Sequence, residues 1–151
     1  MDYGLIGEKL GHSYSKEIHE ELASYTYDLC PLSKDEFPAF MEKRDFKAIN
    51  VTIPYKKMVI PYLKKLDDGA ASIGAVNTIV NRNGDLYGYN TDYYGFIYML
   101  SRKGIDVEGK DVLVLGTGGA SAAVLYALKI LKAGNVLTCG RSSEINYENV
   151  Y

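Results

Sequence analysis

The chain is 151 residues long, with 47% hydrophobic and 24% charged residues, which places it in the ordinary globular class at about the size of one domain. A formal net charge of -2 offers no basic stripe to neutralise phosphates, so no nucleic-acid partner is expected. The apolar runs fall far short of the roughly 20 residues needed to cross a bilayer, and no signal-like stretch opens the chain, so no membrane partner is expected and the cytoplasm is the expected compartment.

Short apolar runs alternate with helical patterns along the first two thirds of the chain. Strands are predicted over 2–7, 27–30 and 46–51, helices over 15–24 and 34–43, and helical turns over 55–66. Such alternation gives a mainly parallel α/β sheet. Two more strands, 75–80 and 86–89, flank Asn81-Arg82-Asn83-Gly84-Asp85. Asn-Gly is a hairpin signal because both residues tolerate positive φ, so one strand of the sheet is expected to run antiparallel. A helix is predicted over 93–103, and the polar, glycine-containing stretch 104–110 marks a domain boundary, dividing the chain into 1–103 and 104–151.

The second part opens a new βαβ pattern: a strand over 111–115, a glycine turn over 116–119, a helix over 120–132 and a strand over 136–139. A βαβ unit takes roughly 30 residues, whereas a complete Rossmann sheet has about six strands, so only the first unit of such a domain is expected, and the domain is expected to be incomplete. Cys30 and Cys139 lie far apart without a CxxC pair and read as reduced core thiols. His12 and His19 lack metal-ligand spacing and read as structural or surface residues, so no metal is expected.

The turn Gly116-Thr117-Gly118-Gly119-Ala120-Ser121 follows a strand and opens a helix, the context in which bare glycines let a pyrophosphate approach the positive helix end. Ser121 takes the third fingerprint position; a glycine turn without a ligand is the plainer alternative. Where an NAD site would offer a carboxylate after the second strand, the sequence reads Gly140-Arg141-Ser142, and Arg141 is a cation suited to a 2′-phosphate. NADP is therefore favoured over NAD.

In the first part, polar residues stand where apolar strands end: Asn50 and Thr52, Asn77 and Thr78, Asn90 and Thr91. Ligands bind at strand ends in open α/β sheets, and amides with hydroxyls suit a small molecule bearing several hydroxyls, although Asn and Thr also cap turns. Lys56 and Asp92 adjoin these clusters and form a candidate pair for proton handling, with Asp92 holding Lys56; the alternatives are two surface charges, or Asp92 as a helix N-cap. Ser13 and Ser15 precede a helix, where one of them is expected to be its N-cap and both can hold a carboxylate.

Gly11-His12-Ser13-Tyr14-Ser15-Lys16 with His19, Asn50-Val51-Thr52-Ile53-Pro54-Tyr55-Lys56, Gly74-Ala75-Val76-Asn77-Thr78, Gly88-Tyr89-Asn90-Thr91-Asp92 with Gly95, and the glycine turn occur together in one order. In these motifs the chain resembles the shikimate dehydrogenase family over nearly its whole length. The resemblance implies reversible reduction of 3-dehydroshikimate to shikimate with NADPH, on the route to chorismate and the aromatic amino acids. By matched position, Ser13 and Ser15 hold the substrate carboxylate, Thr52, Asn77 and Asp92 bind ring hydroxyls, and Lys56 is catalytic. Gly116, Gly118, Gly119, Ala120, Arg141 and Ser142 are the matching cofactor-binding positions.

The family often has Asn-Arg-Thr where this chain has Gly140-Arg141-Ser142, so weaker binding on the adenosine side is expected. It also continues through the rest of the nicotinamide-binding sheet, whereas this sequence stops at Tyr151. The 151 residues alone are therefore expected to be inactive or nearly so, since near-attack positioning is a large part of the barrier. Steady NADP-dependent turnover by these residues would contradict that expectation. The rival readings are a quinate or shikimate dehydrogenase of broader specificity and a shikimate-binding module without catalysis. Expected partners are the small-molecule substrate and, at most, a second copy in a homodimer.

Overall fold

The computed structural model describes residues 1–140, which fall into two compact units, Met1–Asn90 and the residues from Thr91 onward. In the first unit, β1 (Tyr3–Gly7), α1 (Ser15–Leu22), β2 (Asp28–Pro31), α2 (Phe37–Lys43) and β3 (Ala48–Val51) follow the expected alternation. A 3-10 turn at Ile60–Tyr62, β4 (Lys65–Leu66), α3 (Asp68–Ile73), β5 (Thr78–Arg82) and β6 (Asp85–Tyr89) complete it. The strands form one six-stranded sheet in the order β2-β1-β3-β5-β6-β4. β1 pairs in parallel with β2 and β3, and β4 in parallel with β6, while β5 runs antiparallel to both of its neighbours.

Alternation along the strands sorts side chains onto two faces. Ile6, Ile49, Val51, Ile79 and Leu86 join Phe37, Met41, Tyr55, Val59 and Val76 in the main core. Phe37 stacks on Tyr55 with ring centroids 4.4 Å apart, and the Tyr55 hydroxyl donates to the Leu32 carbonyl at 2.7 Å. Leu5 faces the other way, into a smaller cluster with Leu10 and Tyr27, bordered by Tyr3, Tyr25 and Leu29.

Three local features depart from the sequence expectation. The stretch 55–66 is not simply helical, because Lys65–Leu66 pairs as an edge strand with Tyr87 and Gly88. Helix α3 was not expected; the Asp67 carboxylate caps it by accepting from the Ala70 N–H at 2.9 Å. The helix expected over 34–43 begins at Phe37, preceded by a turn in which Ser33 and Glu36 form a capping box. There the Glu36 carboxylate accepts from the Ser33 N–H at 2.9 Å and the Ser33 hydroxyl at 2.6 Å, and the Glu36 N–H donates back to Ser33 Oγ at 3.3 Å. The expected hairpin is present, with Asn83 and Gly84 at φ 55° and 91°.

The second unit contains α4 (Asp92–Arg102), β7 (Val112–Leu115), α5 (Ser121–Ile130) and β8 (Val136–Cys139), with β7 and β8 parallel. Tyr93 of α4 meets Tyr126 of α5 edge to face at 5.0 Å. Helix α4 therefore groups with α5, so the units divide between Asn90 and Thr91, one helix earlier than the division at 103/104 expected from the loop.

Ser33→Ala removes the capping box from the exposed turn that follows β2. It is expected to lower stability by about 1 kcal/mol, read from the urea midpoint at unchanged m-value.

Candidate functional site

Because β5 is reversed, its N-terminal end lies beside the C-terminal ends of β3 and β6. Asn50 of β3 is directly opposite Thr78 of β5, which in turn is opposite Tyr89 of β6. Asn77 is held between the same strands: its carbonyl accepts from the Val51 N–H at 2.8 Å, and its N–H donates to the Tyr89 carbonyl at 3.0 Å. The Lys56 carbonyl accepts from the Val76 N–H at 2.8 Å, which ties the Lys56 backbone to the residue before Asn77. Asn90 donates through Nδ2 to the Ala75 carbonyl at 3.0 Å. Asn50, Asn77, Thr78 and Asn90, spread over forty residues of sequence, thus meet at one sheet edge.

The loops after β1 and β3 also adjoin, through Thr52 N–H to the Ile6 carbonyl at 2.9 Å and Glu8 N–H to the Ile53 carbonyl at 3.2 Å. The β1 loop leads to Ser13 and Ser15, whose hydroxyls are 3.1 Å apart. Neither serine is the N-cap expected of it; Tyr14 takes that position without a side-chain bond. Ser13 Oγ instead accepts from the Ser15 N–H at 3.2 Å, which pins the two side chains together at the helix start.

Sequence reasoning placed Asn50 among the polar clusters but left it out of the binding set, and it assigned no role to Tyr27. The structure joins both to Asn77. Tyr27, 2% exposed, donates its hydroxyl to Asn50 Oδ1 at 2.7 Å. Asn50 Nδ2 faces the Asn77 carbonyl at 3.3 Å and Thr78 Oγ1 at 3.1 Å, and Thr78 Oγ1 lies 3.1 Å from Asn77 Oδ1. Burial, reinforced by the neighbouring Tyr25 phenol, holds Tyr27 well above the usual phenol value, so its hydroxyl keeps its proton.

Helix α1 grips the Tyr27 backbone from both sides. Glu20 accepts from the Tyr27 N–H at 3.0 Å, and Lys16 donates to the Tyr27 carbonyl at 2.9 Å while pairing with Glu20 at 3.1 Å. The His19 ring stacks on the Tyr27 ring at 4.1 Å and meets the Tyr25 hydroxyl through Nδ1 at 2.7 Å. His19 is thus a packing residue, in keeping with its sequence reading.

In the second unit, Gly116 has φ 118°, a conformation that glycine adopts without a Cβ penalty. Among the described residues, a Cβ at Gly116, Gly118 or Gly119 would meet nothing within 4 Å, which suits the close approach of a ligand. The Gly116 N–H donates to the Cys139 carbonyl at 2.7 Å, and Ser121 Oγ donates to the Gly118 carbonyl at 2.7 Å. Helix α5 starts from Ala120 without a side-chain cap, which leaves its positive end to backbone groups and suits a phosphate. Asp92 is the first residue of α4, with Thr91 and not Asp92 at the N-cap. Arg141 and Ser142 lie outside the described residues.

Residues 5–79 match the shikimate dehydrogenase substrate binding domain. The chain is 43% identical over 150 residues to Shikimate dehydrogenase (NADP(+)) of Clostridium perfringens strain SM101, covering 94% of this chain and 55% of that protein. It is 39% identical over 149 residues to the enzyme of the same name from Clostridium botulinum strain Loch Maree, covering 93% and 58%. Among solved structures, it superposes on shikimate dehydrogenase 1 from Peptoclostridium difficile with a TM-score of 0.88 at 36% identity, covering 98% of this chain and 62% of that one. Shikimate 5-dehydrogenase from Thermus thermophilus, solved with NADP(H) and shikimate, gives a TM-score of 0.84 at 32% identity, covering 94% and 56%. The chain spans about half the length of the curated relatives it matches.

The Glu20 carboxyl is held below its ordinary value of 4.5, first by the Tyr27 N–H and then by Lys16. A depressed folded value contributes stability that is present above the ordinary value and lost as pH falls through the folded one. Acidification below 4.5 is therefore expected to loosen the grip of α1 on Tyr27. Urea midpoints followed from neutral to acid pH check this: the wild type should lose stability more steeply than Glu20→Gln.

Proposed function

The chain belongs to the shikimate dehydrogenase family, and from that premise we propose that it binds shikimate at the polar edge of its first unit and serves the NADP-linked interconversion of shikimate and 3-dehydroshikimate. The observation that carries this reading is the β3–β5 register, which sets Asn50 against Thr78 and draws Thr52, Lys56 and Asn77 to the same edge. Amides and hydroxyls side by side offer the paired donors and acceptors that a ring with several hydroxyls needs.

In this reading Thr52 and Asn77 hold ring hydroxyls. Ser13 and Ser15 hold the carboxylate, with the amide groups at the start of α1 behind them. Lys56 gives a proton to the carbonyl oxygen as its carbon is reduced, and takes it back when the alcohol is oxidised. NADPH, when bound, supplies the hydride. Gly116, Gly118, Gly119 and Ala120 fit its pyrophosphate through the glycine turn and the start of α5. Asp92, Arg141 and Ser142 enter the proposal through the family resemblance, as do a cytoplasmic location and a homodimer.

Calorimetric titration of the chain with shikimate tests the reading. Saturable binding is expected, weakened roughly five- to tenfold by Asn77→Ala or Ser15→Ala, the loss of about one good hydrogen bond each. Lys56→Met is expected to keep binding within a few-fold, and wherever NADPH oxidation by 3-dehydroshikimate is measurable, to lower kcat by roughly 100-fold or more. Absence of shikimate binding, or equal binding by the Asn77 and Ser15 variants, would sink the proposal.

A further inference from the structure

A four-residue chain of side-chain hydrogen bonds runs from the packed interior of the first unit to Asn77, and the direction of its links through Asn50 can be read from a group that allows only one role. The Asn77 backbone carbonyl can only accept, so the Asn50 group facing it at 3.3 Å is the amide nitrogen. That places Asn50 Oδ1 toward Tyr27, whose hydroxyl must donate at 2.7 Å. The second Asn50 N–H goes to Thr78 Oγ1 at 3.1 Å. Thr78 Oγ1, which accepts there, donates its own proton to Asn77 Oδ1 at 3.1 Å. The carbonyl end of the Asn77 amide is thereby engaged, and the nitrogen, with two donors, becomes its opposite end.

We infer that Tyr27 is a positioning residue, which through Asn50 and Thr78 orients the amide of Asn77 so that its nitrogen end, not its oxygen, is the one turned to a ligand hydroxyl. The inference rests on the shikimate-binding reading of the polar edge. Tyr27 is suited to the task because it is itself immobilised: its ring is stacked by His19, its backbone is held on both sides by Glu20 and Lys16, and its hydroxyl keeps its proton. The same face carries a small cavity of about 120 Å³ lined by Tyr3, His19, Tyr25, Tyr27, Asn50 and Thr78, so the chain of bonds is walled by aromatic rings. Hydrogen bonds that run in series polarise one another.

The test pairs Tyr27→Phe, which removes the donor and keeps the ring, with Asn77→Ala and the double variant. Two readouts are used: the Asn77 side-chain amide signals in 15N-resolved NMR spectra without ligand, and the shikimate affinity by calorimetry. Expected are shifted Asn77 amide signals in Tyr27→Phe and roughly five- to tenfold weaker shikimate binding, with the double variant no weaker than Asn77→Ala alone. Ser33→Ala, which weakens the fold through the Ser33–Glu36 capping box and alters none of the four residues of the chain of bonds, should leave both readouts unchanged. If shikimate binds the wild type and Tyr27→Phe equally, or the two losses simply add, the inference is overturned while the binding proposal stands. If the wild type binds no shikimate, the binding proposal fails on its own account. The amide spectra then decide: unmoved Asn77 signals overturn the positioning by Tyr27, and shifted ones sustain it.

Discussion

Strand β5 runs against both β3 and β6, and the polar edge of the first unit depends on that reversal. In an all-parallel sheet the N-terminal end of β5 would lie at the edge opposite the C-terminal end of β3, leaving Asn77 and Thr78 a strand length from Asn50 and Thr52. Reversed, β5 brings its first residues to the edge where β3 and β6 finish. The same register places Ile49 opposite Ile79 in the main core and Asn50 opposite Thr78 on the other face. One set of backbone hydrogen bonds therefore fixes both the apolar packing and the polar cluster, and a slip of one residue would exchange them.

The two faces of the sheet are unequal. One is sealed by α2, the residues around Tyr55 and a continuous set of large apolar side chains. The other is thinner, with Leu5, Leu10 and Tyr27 as its buried members and tyrosine and histidine rings around them. Polar groups are tolerated on this second face because they bond to one another: Tyr27, Asn50, Thr78 and Asn77 form a directed series in which each hydroxyl has an acceptor. A chain of this kind holds side chains in place without the volume constraints of an apolar core.

Much of this was legible in the sequence, for reasons that can be named. Alternating apolar runs announced the α/β class, and Asn83-Gly84 announced the hairpin and with it the antiparallel member of the sheet. Polar residues at strand ends singled out Asn50 and Thr52, and Asn77 and Thr78, which the β3–β5 register brings to one edge. Strand β4 was missed because two residues carry no periodicity, and α3 because six residues with a glycine in the first turn look like a loop, although Asp67 ahead of Asp68-Gly69-Ala70 was a readable cap. The unit division was displaced because the glycine-containing loop after α4 looks like a linker, whereas the packing of Tyr93 on Tyr126 decides where α4 belongs. Tyr27 was invisible as a contributor: its partner is twenty-three residues away, and only the register of three strands shows that its hydroxyl reaches Asn50.

The hairpin of β5 and β6 closes through a two-residue turn, whereas the seam between β3 and β5 joins residues nearly thirty positions apart. The first is a local event and the second carries a loop-closure cost, so the seam belongs to the slower and more cooperative part of folding. The polar edge straddles that seam. A chain in which the hairpin has formed but the seam is open would carry Asn77, Thr78 and Tyr89 together, yet lack Asn50, Thr52 and everything Tyr27 anchors. Whatever binds across the seam therefore selects molecules whose sheet is closed and, by mass action, protects them against opening at that place.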